Sequence, residues 1–466
     1  MENLPRLSDE LAEGLLALVS VQYLRFCRHD QLVQIRSRYY ESTSNLSGVG
    51  YRALAKELLT HTRYANNPFA WLSDNCGSGT VPEIVPVMPV GIGEADLGKP
   101  YQPQQKDRVA PDELKYVYYE CLPAGLQDVY RAVLEAVRHH VKNVPVPGCT
   151  YEQIKLVMFA VRYDHPELFY LCNYALGGGE LIPIYGADAQ QTAVLQRQIE
   201  QEIQPYLAGI DDSMSAYDVA LRLHARIITA VDYDTVALDR ERRAGGPKDG
   251  EIDRLRTICG VFLDRKAVCA GYAKAMQYLL HRCGIECAEC SGTIRKEDGT
   301  TGGGHAWNLL KIDGEYYYLD TTWDDSSDTI QSVRDMNHAY DYFCVTTDEL
   351  LRTRDLSRTP LQLPVCTARR ANYHEHNGFI LEQRYDEEKL RSLAREAAAA
   401  GRSNFTVKCW TNSVYETAKR RLCIDNSETF DLLKTAGKQD KRIQTTRYRY
   451  SCDDNMWTIT IWFVRS

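Results

Sequence analysis

The sequence predicts an α+β protein whose chemistry lies between Cys259 and Asp325. In that stretch, helical spacing of apolar residues from Ala270 to Cys283 predicts a helix, and two alternating, aromatic-rich runs after it predict strands. The pair Asp313-Gly314 joins these runs and is the strongest short signal for an antiparallel hairpin. A helical N-terminal region and a small α/β C-terminal module flank this core in the prediction.

The predicted helix begins with a cysteine. Its apolar stripe consists of Ala273, Met276, Leu279, Leu280 and Cys283, and Gly284 supplies a stop. Cys269 falls in the first turn, where unpaired amides and the positive end of the helix dipole stabilise an anion. Because Arg265 and Lys266 add positive charge, we expect the thiol pKa to fall from ~8.5 into the range ~3.5–7.5.

The register of the hairpin follows from its turn. The runs HAWNLLKI and EYYYLDTT are separated by two residues, so Ile312 is expected to pair with Glu315. The same register places Trp307 opposite Asp320. Side chains of directly opposed residues lie on one face of a sheet, and so do those of alternate residues along each strand.

This register groups a histidine with the aspartate. His305 is opposite Thr322 and diagonal to Asp320, at a backbone separation of ~7–8 Å that an imidazole and a carboxylate can span. Asn308, the other side chain that could orient the imidazole, points to the opposite face. A helix-start cysteine with a histidine oriented by an aspartate is the arrangement for covalent acyl transfer, in which the imidazole takes and returns the proton.

Three motifs also resemble a known family. VCAGYA (268–273), GHAWN (304–308) and YLDTTWDD (318–325) are similar to the signatures of the transglutaminase-like superfamily, in particular its multi-domain bacterial members. The resemblance implies a papain-like core, with the cysteine helix packed on an antiparallel sheet, and a triad of Cys269, His305 and Asp320. The family commonly has glycine before the Val-Cys pair, where this chain has Ala267.

Candidates for the rest of the site are less specific. The oxyanion site is expected to include the Cys269 backbone amide, and Tyr272 and Trp307 are the nearest motif candidates for a second donor, with packing as their alternative role. The glycines before His305, with Gly304 last, can let a substrate backbone approach or form a hinge. Phosphate binding is disfavoured there because a strand, and not a helix, follows.

The leading functional prediction is an enzyme acting on amide bonds of a peptide or protein, with hydrolysis favoured over protein crosslinking. Peptide N-glycanase activity ranks third. The alternative class is a non-catalytic peptide-binding or scaffold protein on the same fold, which has no need of all three triad groups.

Composition limits the partners and the location. A net charge of -8 and a pI near 5.8 argue against nucleic acid as a partner. No apolar run approaches the ~20 residues that span a bilayer, and no secretory signal is recognisable. Fifteen cysteines, an odd number, favour a reduced cytoplasmic setting over a disulfide framework.

The length of 466 residues predicts several domains. The expected division is a helical and irregular region 1–105, a mostly helical domain 106–208, the catalytic core 209–365, a linker and helix 366–401, and an α/β module 402–466.

No cofactor or metal is predicted, although the sequence contains two clusters of possible metal ligands. Cys283, Cys287 and Cys290 have a spacing that can bind zinc, but the last two lie in a predicted strand on opposite faces, so buried thiols are favoured. Asp324 and Asp325 could bind calcium but lack further regularly spaced carboxylates.

Two other polar features have an ordinary structural interpretation. His224 lies near the apolar stripe of a predicted helix from Ser215 to Val231, which favours a hydrogen-bonded packing role over catalysis. The segment from Asp164 to Glu167 contains a proline and favours a capped turn over acid-base work or metal binding.

Overall fold

The computed structural model describes residues 98–243, 250–295, 300–325 and 340–465. The chain divides into a unit Met1–Ile92 and a unit Gly93–Ser466. The helices predicted before residue 98 lie outside the described residues. The elements that the structure describes all belong to the second unit.

Helices and a small sheet precede the predicted core. The helices are α1 (Val117–Cys121), α2 (Ala124–Arg138) and α3 (Tyr151–Asp164), and the strands are β1 (Val144–Pro145), β2 (Leu171–Gly177) and β3 (Glu180–Tyr185). The strand order is β1-β3-β2, and both pairings are antiparallel.

The boundaries here follow local chemistry. The sequence favours one helical segment from Pro111 to Val144, but the structure breaks it between α1 and α2. Leu122 has an extended backbone, ψ 143°, because Pro123 disfavours the helical conformation of the residue before it. The sequence also predicts a helix from Tyr151 to Phe159. Helix α3 begins at the predicted residue, after a capping box at Thr150, and runs five residues further, to Asp164.

A second group of elements leads into the sheet. It contains α4 (Ala189–Glu202), α5 (Gln204–Leu207), α6 (Ala216–Ala230), β4 (Asp232–Tyr233), α7 (Thr235–Arg243) and β5 (Lys266–Ala267). Helix α6 is capped by Ser215, whose side chain accepts from the Asp218 amide, and it is buried along most of its length. It packs against the cysteine helix described next.

The core combines one helix with one antiparallel sheet, as the sequence predicts. The elements are α8 (Cys269–Arg282), β6 (Cys287–Arg295), β7 (Thr301–Ile312) and β8 (Glu315–Leu319), and the strand order is β6-β7-β8. Helix α8 lies on this sheet, where the buried Asn308 amide donates to the Ala273 carbonyl at 2.9 Å. The α+β fold class is confirmed.

The predicted hairpin register is confirmed for the residues that β7 and β8 pair. The predicted pairs of Trp307 with Asp320 and of His305 with Thr322 are not in the ladder, because β8 ends at Leu319 and Asp320 caps a short helix, Thr321–Asp324. Asp313 and Gly314 have φ values of 52° and 86°, the left-handed pair of a type I′ turn. Ile312 pairs with Glu315, and the ladder continues in the same register to the pair of Asn308 with Leu319.

The last part of the chain is a compact α/β module. Short helices α9 (Thr321–Asp324), α10 (Thr347–Leu350) and α11 (Tyr373–Asn377) precede it, and it contains β9 (Ile380–Leu381), α12 (Glu387–Ala399), β10 (Asn404–Cys409), α13 (Asn412–Lys419), α14 (Ser427–Gln439), β11 (Ile443–Asp453) and β12 (Thr458–Arg465). Its strand order is β11-β12-β10-β9. The apolar core of the module includes Leu381 and Leu390, so β9 and α12 pack as part of it although the sequence-based division placed them in a separate linker.

Buried polar contacts join this module to the core. Lys408 Nζ on β10 lies 2.7 Å from Glu349 Oε1 on α10, and both side chains are 1% exposed. The Tyr342 hydroxyl donates to Asp453 Oδ2 at 3.1 Å. Within the described residues, no helix is long and apolar enough to cross a lipid bilayer.

Gly284→Ala is expected to lower the melting temperature more than Gly209→Ala. Both glycines have positive φ, 72° and 67°, which disfavours a side chain by about 1–2 kcal/mol. A Cβ at Gly284 would in addition lie 1.8 Å from the Val109 carbonyl oxygen, whereas a Cβ at Gly209 would meet nothing within 4 Å.

The extra overpacking is expected to cost about 1–3 kcal/mol. Thermal denaturation followed by circular dichroism measures the difference between the two variants. Equal losses of stability would contradict the close approach of Val109 to the end of α8.

Candidate active site

The site begins at the N-terminus of α8. Cys269 is the first helical residue and is partly exposed, and the N-cap residue, Val268, has no side chain that caps the helix. Its position leaves the first-turn amides and the positive end of the helix dipole beside the thiol. The preceding residue, Val268, is buried and extended, so the cysteine emerges from the core at the point where the helix starts.

The thiol is hydrogen-bonded to the end of β7. Burial raises the pKa of Cys269, but a hydrogen bond from His305, the charge of that imidazole and the Ala306 amide together bring the pKa below the usual thiol value. An imidazolium and a thiolate side by side are the reactive state of such a pair.

The imidazole is fixed on its other side by Asp320. His305 Nε2 lies 2.6 Å from Asp320 Oδ2, and both side chains are buried. Because Nε2 is taken by the carboxylate, the ring nitrogen left for the Cys269 thiol is Nδ1. Burial alone would lower the pKa of His305, but the charge and hydrogen bond of Asp320, with a contribution from Cys269, raise it to about 9.

Asp320 is held at both of its oxygens. Oδ1 accepts from the amides of Thr322 and Trp323, each at 3.1 Å, so this aspartate is the N-cap of α9. Oδ2 accepts from His305 and from Arg354 Nη2 at 2.6 Å. Burial raises the pKa of Asp320, but His305 and Arg354 outweigh burial and hold the carboxyl ionised.

The structure therefore brings Cys269, His305 and Asp320 into one hydrogen-bonded chain. It also adds Arg354, which the sequence did not single out because it lies 34 residues after Asp320 in a run of mixed charges. No local motif marks such a residue, since only the folded chain places it beside the carboxylate.

The two side chains considered as oxyanion donors differ in their surroundings. The Tyr272 hydroxyl lies 3.0 Å from the Val231 carbonyl oxygen and 2.7 Å from Asp325 Oδ2, which supports the packing alternative. Trp307 is buried and stacks on His305 with ring centroids 5.9 Å apart. Its indole nitrogen has no hydrogen-bond partner in the described part of the chain, so its role as a donor stays a prediction.

Gly304 lies at an exposed position next to His305. A Cβ on Gly304 would lie 2.4 Å from Arg358 Nη1, so the group that comes close to this glycine in the structure is a side chain of the protein itself. The predicted approach of a substrate backbone at this position is compatible with its exposure.

The other polar candidates are parts of the packed interior. His224 Nδ1 lies 3.1 Å from Thr321 Oγ1, and Nε2 lies 3.1 Å from Asp324 Oδ2, with the imidazole and the carboxylate both fully buried. Asp164 accepts from the amides of Tyr118 and Tyr119 at 3.0 and 2.9 Å, as expected for a carboxylate that caps backbone groups.

The side chains that the sequence offers as possible zinc or calcium ligands have other surroundings in the structure. Cys283, Cys287 and Cys290 are buried free thiols. The Asp324 carboxylate accepts a hydrogen bond from the Tyr342 amide at 3.0 Å, whereas the Asp325 carboxylate accepts one from the Tyr272 hydroxyl. Among the residues that the structure describes, no group of three or more His, Cys, Asp or Glu side chains is arranged to hold a metal ion.

Comparison with known proteins agrees with the family suggested by the three motifs. Residues 205–321 match the family model of the transglutaminase-like superfamily, which confirms the predicted resemblance for that segment. The matched segment includes Cys269, His305 and Asp320, and it ends before Arg354.

Two solved structures resemble parts of the chain. One is described as a TGase, with 15% identity, a TM-score of 0.24, and coverage of 31% of this chain and 36% of its own. The other is a putative cysteine protease from Cytophaga hutchinsonii, with 16% identity, a TM-score of 0.19, and coverage of 30% and 40%. This chain thus spans well under half of each, and no curated protein matches it.

Alkylation of Cys269 by iodoacetamide is expected to rise with pH in two steps. The first lies below the ~8.5 of an ordinary thiol, where the thiolate forms, and the second lies at about 9, where His305 loses its proton. In His305→Ala the charge and the hydrogen bond of the imidazole are lost, while burial and the Ala306 amide remain, so the first step moves to higher pH.

The rate at pH 6 should then fall, by about tenfold for each unit by which the thiol pKa rises. Mass spectrometry of labelled peptides identifies the alkylated cysteine. His139→Ala is the matched control because this histidine is 70% exposed and pairs with Glu135 at the end of α2, outside the site. Equal rates for wild type and His305→Ala at pH 6 would contradict the coupling of the two groups.

Proposed function

We propose that this chain, whose residues 205–321 match the transglutaminase-like superfamily, is a cysteine-dependent acyl-transfer enzyme that hydrolyses amide bonds of a peptide or protein. The observation that carries the proposal is the buried contact of 2.6 Å between His305 and Asp320, beside a thiol of lowered pKa at a helix start. A nucleophile, a base and a group that orients the base are the parts that covalent acyl transfer needs.

The first half-reaction forms a thioester. The Cys269 thiolate attacks the amide carbonyl carbon, and a C–S bond forms as the carbonyl π electrons move to oxygen. When the tetrahedral adduct collapses, the C–N bond breaks and the nitrogen takes a proton from His305 Nδ1. The amine leaves, and the acyl group stays on the sulfur.

The second half-reaction restores the enzyme. Neutral His305 takes a proton from water, the hydroxide attacks the thioester carbon, and the C–S bond breaks to release a carboxylic acid and the thiolate. Asp320 keeps the imidazole in one orientation and stabilises the imidazolium in both halves of the cycle. It needs no proton of its own, because His305 and Arg354 hold its pKa low.

The oxyanion of the tetrahedral adduct develops beside the start of α8. The Cys269 amide belongs to the first turn, where backbone N–H groups have no partner within the helix, and the dipole favours negative charge there. Preorganised donors of this kind contribute more to the rate inside a protein than in water. The indole N–H of Trp307 is the side-chain donor that we propose to assist it.

We favour water as the acyl acceptor because the residues around the thiol are not all shielded from solvent. Cys269 is partly exposed, and Gly304 beside the histidine is exposed. A crosslinking enzyme must keep water from the thioester and admit an amine in its place. The competing outcome is therefore amine incorporation, as in a transglutaminase, and the third is the absence of turnover, as in a scaffold.

Peptide-library profiling is expected to give hydrolysed products with wild type and none with Cys269→Ala. Truncation removes the nucleophile, so activity should fall by about 10⁴-fold or more, to the background of the assay. The library is incubated with and without a primary amine such as cadaverine, and products are identified by mass. Cys149→Ala is the matched control, since Cys149 is a partly exposed free thiol outside the core.

Each outcome decides between the functions. Acid products that appear only when Cys269 is present support a hydrolase. Cadaverine adducts that appear only when Cys269 is present would make the chain a crosslinking enzyme. Turnover that survives Cys269→Ala, or no turnover by a chain that is folded and whose thiol is reactive, would overturn the proposal.

A further inference from the structure

A buried arginine lies against the carboxylate that orients the imidazole. Arg354 is fully buried, and its Nη2 donates to Asp320 Oδ2 at 2.6 Å, at the same oxygen that receives His305. Arginine remains charged in protein interiors, and a buried charge without a partner is costly. The guanidinium and Asp320 therefore form a compensated pair inside the candidate site.

The backbone around this arginine is fixed to the edge of the sheet. Arg354 forms an antiparallel bridge with Ile294 of β6, flanked by hydrogen bonds from the Arg295 amide to the Thr353 carbonyl at 2.7 Å and from the Asp355 amide to the Thr293 carbonyl at 3.0 Å. This close pairing places the side chain of Arg354 on the side of the sheet that carries His305.

A glycine makes the close approach possible. A Cβ on Gly292 would lie 1.7 Å from the Asp355 carbonyl oxygen and 2.9 Å from the Trp307 ring. Gly292 pairs with His305 across β6 and β7, so the missing side chain lies directly opposite the imidazole-bearing residue. The absence of a side chain at Gly292 therefore allows the segment that contains Arg354 to pack against this edge of the sheet.

Aromatic rings enclose the rest of the guanidinium. Its central carbon lies 4.1 Å from the ring centroid of Trp323, 5.0 Å from that of Tyr342 and 5.6 Å from that of Trp307. Within the described residues, Nε and Nη1 have no hydrogen-bond acceptor. The cation is therefore held by ring faces and by one carboxylate, and its charge is directed at Asp320.

We propose that Arg354 is a positioning residue of the acyl-transfer site, which holds Asp320 in place and sets the protonation of the His305 and Cys269 pair through it. The inference rests on the proposed function. Arg354 does not touch the thiol or a substrate in this account, so it is not a catalytic residue. It lies beyond the segment 205–321 that matches the family model.

The electrostatic consequence has a definite sign. Asp320 is shared between two cations, so Arg354 offsets part of the negative charge that would otherwise stabilise protonated His305. The positive charge of Arg354 also favours the thiolate of Cys269. Removing that charge must raise the proton affinity of all three groups, because each protonation adds positive charge or removes negative charge.

One charged group near this cluster is exposed, namely Arg358, which comes close to Gly304 beside the histidine, and the others named here are buried or partly buried. Asp324 of α9 faces the cluster, and burial raises its pKa well above the usual carboxyl value. Tyr342, next to the guanidinium, has its pKa raised by burial and by Asp453, to which its hydroxyl donates. Asp341 is neighbour to Asp324 and is bound to His374 at 2.8 Å. These groups are unchanged in the variants below.

The test is the pH profile of Cys269 alkylation by iodoacetamide in the full chain, compared among four variants. Arg354→Met and Arg354→Gln remove the charge, and Arg354→Lys keeps it. Arg352→Met is the matched control, because Arg352 stacks on Trp457 at 3.5 Å and donates to the Asn455 carbonyl, away from Asp320.

Both transitions of the profile are expected to move to higher pH by about 1 unit in Arg354→Met and Arg354→Gln. Arg354→Lys should keep both within a few tenths of a unit of wild type, as should Arg352→Met. Circular dichroism and melting temperature check that each variant is folded. If Arg354→Met does not fold, the comparison of Arg354→Gln with Arg354→Lys decides.

A merely structural arginine would give a lower melting temperature with both transitions unmoved, and that result would overturn the inference. Alkylation needs no turnover, so the two proposals fail separately. Shifted profiles without any hydrolysis of peptides would remove the proposed function alone. Unshifted profiles in a chain that hydrolyses peptides would remove the positioning role alone.

Discussion

The site depends on one buried carboxylate that must be fully paired. Asp320 is 1% exposed, and an ionised carboxyl in such a place is stable only when its oxygens are hydrogen-bonded and its charge is balanced. Two backbone amides of α9 satisfy Oδ1, and His305 with Arg354 satisfies Oδ2. The imidazole is thus fixed by the same contacts that make the burial of Asp320 possible.

This pairing links distant parts of the fold. The type I′ turn at Asp313-Gly314 sets the register that brings His305 beside the end of β8, and Asp320 then caps the helix that follows. Helix α8 places its first turn against the other side of the imidazole, where the thiol is hydrogen-bonded. Tyr342 contacts both the guanidinium of Arg354 and Asp453 of the C-terminal module, so that module supports the walls of the site.

Much of this arrangement could be predicted from the sequence because it is local. A cysteine at a helix start, a two-residue turn and the alternation of side chains in strands all act over a few residues, and together they place His305 beside Asp320. The register of β7 and β8 and the extent of α8 agree with that expectation.

The remainder depends on contacts between residues that are far apart in the chain. Arg354 is paired with Asp320 only because its segment lies along β6 and because Gly292 leaves room for it. The inclusion of α12 in the C-terminal module likewise follows from the apolar contacts of Leu390, which periodicity within the helix cannot assign to a partner. The break at Pro123 was readable in principle, because the residue before a proline disfavours the helical conformation.

Asp320 keeps His305 protonated beside the thiol at neutral pH, and the rest of the site chemistry depends on that charge. Nuclear magnetic resonance of the full chain labelled with ¹⁵N-histidine, with His305→Gln to assign its signals, measures the charge state of that ring directly. The account predicts an imidazolium at pH 7 that titrates at about 9. A neutral His305 at pH 7, titrating near the ordinary value of about 6.5, would contradict it.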